Sequence, residues 1–423
     1  MAIGRDFWIF RVGQFISTVG DPFTNIAIAW WVLDETQSAS LVSLAIAPSL
    51  FGKVIFLPVS GRIADLYSRK KLLLLSDLIR FCSTALIAGI AVEDYFSIVA
   101  IAAIGFVSSI GAALHASAEY SILPSLVLKD GDVSIAMQFT EFLSSIGMVI
   151  GAALAGIVIS VFGVSTAFGI DAITFAIGAF ATALLSTAAL PQNIRRTDSI
   201  RQLLEVKPYF DGFRILVKVP VLLGVSVVSL LMNFFVAPLA VAIPLYVSQS
   251  LRGDAWELGL LNAGQGLGNG IGALITGVSI ALFARHRTII LGMLLAGISL
   301  CILPLMPFLI TSFLFMMMFG VASSLANVPL RAQRVVASGD EYRSRIDSAM
   351  KFLFGLAAPL GVIAAGPIIE VIGASTGTIM IGLAIMLLTP LLLVIPDYRR
   401  FYNSDTEEAQ KMFRRMLHGD FSP

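Results

Sequence analysis

Few residues in this sequence can do chemistry, and most of them recur at helical spacing inside apolar runs. Gln14, Ser17, Asp21 and Asn25 follow one another at intervals of three, four and four, so a helix here carries them on one face. Lys53 falls in the middle of the next apolar run. The two runs would lie antiparallel, which brings Asp21 and Lys53 to one depth and predicts an ion pair between them. A charge at the centre of a hydrocarbon layer costs at least about 3 kcal/mol, so both groups should face protein or a water-filled cavity. Such a pair would join two helices, and Asp21 would also be placed to bind a proton or a substrate. Asn262, Gln265, Asn269 and Thr276 make a second polar face at spacings of three, four and seven. Asn233 and Asn327 stand alone in apolar runs, where an amide suits hydrogen bonding to a solute.

Other polar residues read differently. His115 and Glu119 share a helical face, where a hydrogen-bonded packing histidine is expected rather than a metal ligand. Asp171 near the end of its run is expected to meet water. Glu141, a short way into its run, is expected to join Arg69 or Arg80 in a network at one membrane surface. Cys82 and Cys301 lie in apolar runs and read as buried small residues, not as a disulfide or metal site. The glycines from Gly264 to Gly270 have no strand before them, so close helix packing is expected there and not a nucleotide loop. No phosphate-binding loop and no nucleophile–base constellation is seen. The sequence therefore points to no enzyme and no cofactor.

The elements that must position these residues follow from composition. Of 423 residues, 57% are hydrophobic and 13% charged, and the mean hydropathy is +0.90. A soluble chain carries about 25% charged residues, so an all-α membrane protein is expected instead. Apolar runs cover 8–33, 40–63, 72–92, 96–118, 135–162, 167–189, 220–248, 256–283, 287–307, 310–330, 345–372 and 375–396, giving twelve spans. Nearly all Lys and Arg outside the runs fall in alternate loops, including Arg69, Lys70, Lys71, Lys129, Arg195, Arg196, Arg201, Arg285, Arg287 and Arg331; the opposite loops hold only Arg252. This asymmetry places both termini in the cytoplasm of a cell whose inner membrane the chain crosses.

The spans repeat. Gly61–Leu74 aligns with Gly277–Ile290, setting Arg69 on Arg285, and Val161–Thr166 aligns with Val371–Thr376. The expected organisation is a six-helix bundle at 1–189, a cytoplasmic linker at 190–219, a second bundle at 220–396 and a tail at 397–423. Ser404–Glu407 reads as a capping box. Ala409, Met412, Phe413, Met416 and Leu417 then share a face, so an amphipathic helix lying on the membrane or on the basic loops is expected.

The segment Gly61-Arg-Ile-Ala-Asp65-Leu-Tyr-Ser-Arg69-Lys-Lys71 resembles the loop signature of the major facilitator superfamily, with Leu66 and Ser68 departing from it. Gly13-Gln14, Gly20-Asp21 and Ser76-Asp77-Leu-Ile-Arg80 resemble its twelve-helix drug:proton antiporter branch, which includes macrolide, siderophore and metallophore exporters. Gly147, Gly151 and Gly156 are similar to that branch's glycine motif in the fifth span. The resemblance implies two pseudo-symmetric bundles rocking about a cavity lined by spans 1, 4, 7 and 10. It also implies a cytoplasmic latch made of Gly61, Asp65 and Arg69, with Asp77, Arg80 and Glu141 beside it. Asp65 would meet the positive N-terminus of span 11. The implied function is proton-coupled export of an amphipathic small molecule by a monomer in the bilayer, with no nucleic-acid partner. Met316–Met318 with Phe313 and Phe315 would suit a bulky amphiphile. A lipid flippase or nutrient importer of the same fold is the alternative reading, and a non-transporting receptor a further one.

Overall fold

The computed structural model describes residues 4–127, 133–186 and 207–418. Lys129, Arg195, Arg196 and Arg201 lie outside these, as does the side chain of Asp65. The described residues are almost wholly α-helical. In chain order they form α1 (Arg5–Thr36), α2 (Ala39–Leu66), α3 (Arg69–Val92) and α4 (Ile98–Leu126). Next come α5 (133–162) and α6 (164–183), a single helical run broken at Gly163. Then follow α7 (Lys207–Lys218), α8 (Pro220–Val236), α9 (Leu239–Tyr246), α10 (Ala255–Phe283) and α11 (Arg285–Ile302). A second run, broken at Gly339, supplies α12 (309–338) and α13 (340–372). The chain ends in α14 (Ala374–Leu388), α15 (Leu391–Val394), α16 (Tyr398–Asn403) and α17 (Thr406–His418).

Among the described residues, ten segments are long and apolar enough to cross a bilayer. One of them, Ile135–Ala183, holds both α5 and α6. Adding α1, whose polar face lowers its hydropathy, gives a count that fits twelve spans. Caps start two of them: Ser38 Oγ accepts from the Leu41 amide and Ser97 Oγ from the Ala100 amide, each at 3.3 Å.

The aligned repeats adopt matching geometry. Gly163, between α5 and α6, has φ 82° and ψ 170°, and Gly373, between α13 and α14, has φ 82° and ψ 156°. Only glycine enters that region cheaply, which lets one long helix fold back into two without a loop. Arg69 Nη1 donates to the Ser121 carbonyl of α4 at 2.7 Å, and its counterpart Arg285 Nη1 donates to Gln333 Oε1 of α12 at 3.0 Å.

The chain forms two compact units, Met1–Glu205 with Arg252–Ala263, and Val206–Leu251 with Gly264–Pro423. The start of α10 belongs to the first unit because Gly156 of α5 lies against Ala255 and Gly259, where no side chain keeps the backbones apart. In the second unit Gly264, Gly268 and Gly272 bring α10 onto Phe313, Met317 and Val321 of α12.

Two segments outside the spans pack onto the second unit. Part of the expected linker is α7, because Gly212, Ile215, Leu216 and Val219 fall at i, i+3, i+4 and i+7 and are all buried. Gly212 sits against the Arg345 backbone and Ala349 of α13. The tail takes the second of its two expected placements, on the basic ends of α11 and α12, where Arg285 Nη1 donates to the Ser404 carbonyl at 2.9 Å. Tyr398, Phe401, Tyr402, Ala409, Met412, Phe413, Met416 and Leu417 enter one apolar core with Ile215, Met293 and Ile346. Burial there raises the phenol pKa of both Tyr398 and Tyr402, so each stays neutral. The cap of α17 is Asp405, whose Oδ1 accepts from the Glu408 amide at 2.8 Å. Ser404 is drawn off by Gln333, whose Nε2 donates to Ser404 Oγ at 3.2 Å.

Gly163→Ala should lower thermal stability in detergent by about 1–3 kcal/mol, the cost of a side chain in that backbone region. Gly169→Ala, at a helical position with open space around it, should be neutral or slightly stabilising. Equal melting temperatures for the two variants would contradict the turn geometry.

Candidate transport site

In the first unit, glycines let α1 approach α5 and α6 closely. Gly147 and Gly151 of α5 pack on Thr18, Val19 and Pro22 of α1. Gly13 and Gly20 of α1 pack on Ala181 and on Asp171 and Thr174 of α6. This close packing puts polar side chains of three helices in reach of one another. Asp21 Oδ1 is ion-paired with Arg80 Nη2 of α3. Arg80 also lies over the Phe175 ring of α6, with Cζ 3.9 Å from the ring centre. Thr24 Oγ1 donates to Asp171 Oδ2. Thr174 Oγ1 is 2.8 Å from the Asp171 carbonyl. Asp171 is 1% exposed, and Asp21 and Arg80 both act on it electrostatically. Two carboxylates and one guanidinium thus share a site, of which Asp21 is the accessible member, its side chain 33% exposed.

About two turns back along α1, at Gln14, and one turn back along α3, at Asp77, lies a second constellation. His115 of α4 has Nδ1 at 2.8 Å from Asp77 Oδ1 of α3 and Nε2 at 2.8 Å from Gln14 Oε1 of α1. Nε2 is also 3.9 Å from Glu119 Oε2. Arg11 of α1, itself buried, donates to Glu119 Oε1 through Nη1 at 3.0 Å and Nη2 at 3.1 Å. Arg11 and Glu119 offset one another inside the unit, as buried charge requires, and the Asp77 carboxyl lies against the His115 ring.

The second unit is different in kind. A cavity of about 160 Å³ opens between α8, α11 and α12, lined among others by Met232, Asn233, Met293, Phe319, Ser323 and Asn327. No charged residue lines it. Asn233 Nδ2 donates to the Ser229 carbonyl at 2.8 Å and Asn327 Nδ2 to the Ser323 carbonyl at 3.0 Å. Each amide oxygen is left available to accept from a solute.

Several expectations are corrected by this geometry. Asp21 pairs with Arg80 and not with Lys53, because α3 and not α2 delivers a cation to it. Lys53 is exposed on α2. At about 100° per residue, the exposed Leu44 and Ile55 share one side of α2 and Lys53 the opposite side, so Lys53 avoids the apolar strip. Asp171 is buried rather than solvated, since Gly20 lets α1 cover it. Asp77 and Arg80 are committed to His115 and Asp21, about two and three turns along α3 from Arg69. Glu141 is exposed on α5, and neither Arg69 nor Arg80 is bonded to it. Gln14 is buried in the His115 cluster, while Asn25 is exposed. The polar face of α10 does not converge: Asn262 Nδ2 and Thr276 Oγ1 return to carbonyls of their own helix, and Gln265 and Asn269 meet α12 through their backbones. Gly61 faces open space. Sequence reasoning missed Arg11, although its place three residues before Gln14 extends the same polar face.

Fold and site together define a multi-pass transporter, and comparison with known proteins agrees. The Major Facilitator Superfamily profile matches residues 12–362 and 226–417. The chain belongs to this superfamily. It is similar to macrolide efflux protein A of Streptococcus pyogenes, 24% identical over 396 residues that cover 90% of this chain and 94% of the relative. It is also similar to the multidrug efflux pump Tap of Mycolicibacterium fortuitum, 22% identical with 90% and 93% covered. Among solved structures, nucleoside transporter NupG has a TM-score of 0.71 at 12% identity, covering 95% of this chain and 100% of that one. A D-xylose-proton symporter has a TM-score of 0.69 at 13% identity, covering 92% and 99%. These two show the same fold.

Arg80→Met should destabilise the protein by about 2 kcal/mol, because it strands Asp21 without its partner. Pairing it with Asp21→Asn should recover part of that loss in a thermal-unfolding double-mutant cycle. Strictly additive losses would show that the ion pair carries no coupling energy.

Proposed function

We propose that this chain is a proton-coupled exporter of an amphipathic small molecule, working by alternating access in a bacterial inner membrane with both termini cytoplasmic. The observation that carries the reading is the Asp21–Arg80 ion pair at mid-span, with Asp21 partly accessible. A carboxylate in this position has two stable states. Ionised, it holds Arg80 and ties α1 to α3. Protonated, it loses the charge attraction, and α1 is released from α3 at small cost. A proton thereby changes which packing of the bundle is favoured, which is what coupling requires.

The uncharged cavity of the second unit supplies the other half. Met232, Met293 and Phe319 give adaptable apolar walls, and the Asn233 and Asn327 oxygens give direction to a bound solute. Arg69, which donates to the Ser121 carbonyl of α4, is assigned to the cytoplasmic latch. The names of the two efflux relatives support export rather than import. The protein acts as a monomer in this reading, with protons and the solute as its ligands.

Ethidium efflux from cells expressing the protein tests this. Asp21→Asn should cut energised efflux by at least about tenfold at unchanged membrane abundance, since it removes the proton-binding group. Efflux equal to wild type would sink the role of Asp21. Asn327→Leu should instead raise the half-saturating ethidium concentration by about tenfold while leaving the maximal rate, the signature of lost uniform binding.

A further inference from the structure

The His115 cluster is not used by the switch just described, yet its geometry is that of a proton carrier. We propose that Ser17, Asp77, His115 and Glu119 form a proton exit path through the interior of the first unit, leading from Asp21 to the cytoplasmic surface. The proposal rests on the proton-coupled reading above and adds a route to it.

Three observations carry it. The first is continuity. Gln14, Ser17 and Asp21 share one face of α1 and span about 10 Å at 1.5 Å per residue. Arg80 stands one turn from Asp77 on α3, so the two clusters share two helices. At Gly178 of α6 the Ser17 Cβ and Asp77 Oδ2 converge, 3.6 and 3.7 Å from where a side chain would begin. The second is polar atoms without protein partners. Ser17 Oγ, Asp77 Oδ2 and Gln14 Nε2 are fully buried and none is hydrogen-bonded to a described group. Buried polar atoms of this sort take water, and a water among them links Asp21 toward Asp77.

The third is the ring itself. Nε2 faces the Gln14 oxygen, and Nδ1 lies 2.8 Å from the Asp77 carboxyl and 3.2 Å from the Ser76 hydroxyl. With Nε2 donating to Gln14, Nδ1 of the neutral ring accepts, from the Ser76 hydroxyl or from Asp77 when that carboxyl carries the proton. Turning the Gln14 amide over would present its NH2 to a neutral ring, and that group is the one now unpartnered. The site thus accommodates both protonation states without repacking.

Each transfer moves one proton and leaves the ring protonated on Nδ1, so a turn of the ring that restores Nε2–H completes the cycle. The proton on Asp21 passes through water and the Ser17 hydroxyl to Asp77. Asp77 gives it to His115 Nδ1, and Nε2 releases its own proton to Glu119, 3.9 Å away, directly on a small side-chain shift or through one water. Glu119, 26% exposed, gives it to solvent. The charged and titratable groups facing the ring are Asp77 and Arg80 from α3, Glu119 from α4 and Arg11 from α1. Arg11 holds Glu119 Oε1 and leaves Oε2 toward the ring. His115 is a positioning and relay residue, and no solute touches it.

The test reads the ring directly. The full chain is labelled with 15N-histidine and placed in nanodiscs of phosphatidylethanolamine and phosphatidylglycerol. The His115 signal is assigned by its loss in His115→Gln. Between about pH 5 and 8 the ring should titrate, and Asp21→Asn should move that titration, because the two sites exchange one proton. A ring fixed as one neutral tautomer over this range, in both proteins, would overturn the proposal. Ethidium transport in proteoliposomes gives a second readout. His115→Gln should slow pH-gradient-driven ethidium movement by at least about tenfold while ethidium–ethidium exchange, which needs no net proton flow, is retained. Loss of exchange together with loss of thermal stability would instead show a packing role and overturn the relay. Absence of gradient-driven transport in the wild type would overturn the exporter reading, while the nitrogen titration still decides the path.

Discussion

The arrangement depends on one constraint, that charge inside a bilayer must be matched within protein. In the first unit Asp21 meets Arg80, Asp77 meets His115, Arg11 meets Glu119, and Asp171 is held by Thr24 and Thr174. These contacts need helices whose backbones nearly touch. Gly13, Gly20, Gly147 and Gly151 provide that approach, so the glycine pattern and the charge pattern are two halves of one requirement. A larger side chain at any of them would push α1 away from α5 or α6 and strip the charges of their partners.

The repeated halves have diverged under this constraint. The backbone devices are kept, as the matching φ of Gly163 and Gly373 and the matching bonds of Arg69 and Arg285 show. The chemistry is not. The interior of the first unit is ionisable, and the cavity of the second is lined by Asn, Ser, Met and Phe. The second unit spends its polar contacts at its end instead, where Arg285 and Gln333 hold the Ser404 carbonyl and the tail completes an apolar core.

Span number, fold class and the polar face of α1 were legible because hydropathy and helical period are local properties. The cation that pairs with Asp21 was not. Lys53 and Arg80 are both basic and both near the middle of a span, and only the neighbour relations of α1, α2 and α3 decide between them. Asp171 read as solvated for the same reason: its burial is imposed by Gly20 of another helix. His115 looked solitary because its partners lie 38 and 101 residues away in sequence, at Asp77 and Gln14. The tail helix was recognised by its periodic apolar face, but that face does not state what covers it. The shift of its cap from Ser404 to Asp405 follows from Gln333, again a distant residue.

The central claim is that one proton and one solute exchange through Asp21. It is tested most directly by proton release from the purified, weakly buffered protein in detergent on addition of ethidium, followed with a pH-indicator dye. The account predicts release of about one proton per ethidium bound by the wild type and none by Asp21→Asn, with ethidium still bound by the variant. Equal release from both proteins, or ethidium binding by the wild type with no release at any pH between about 5 and 8, would contradict it.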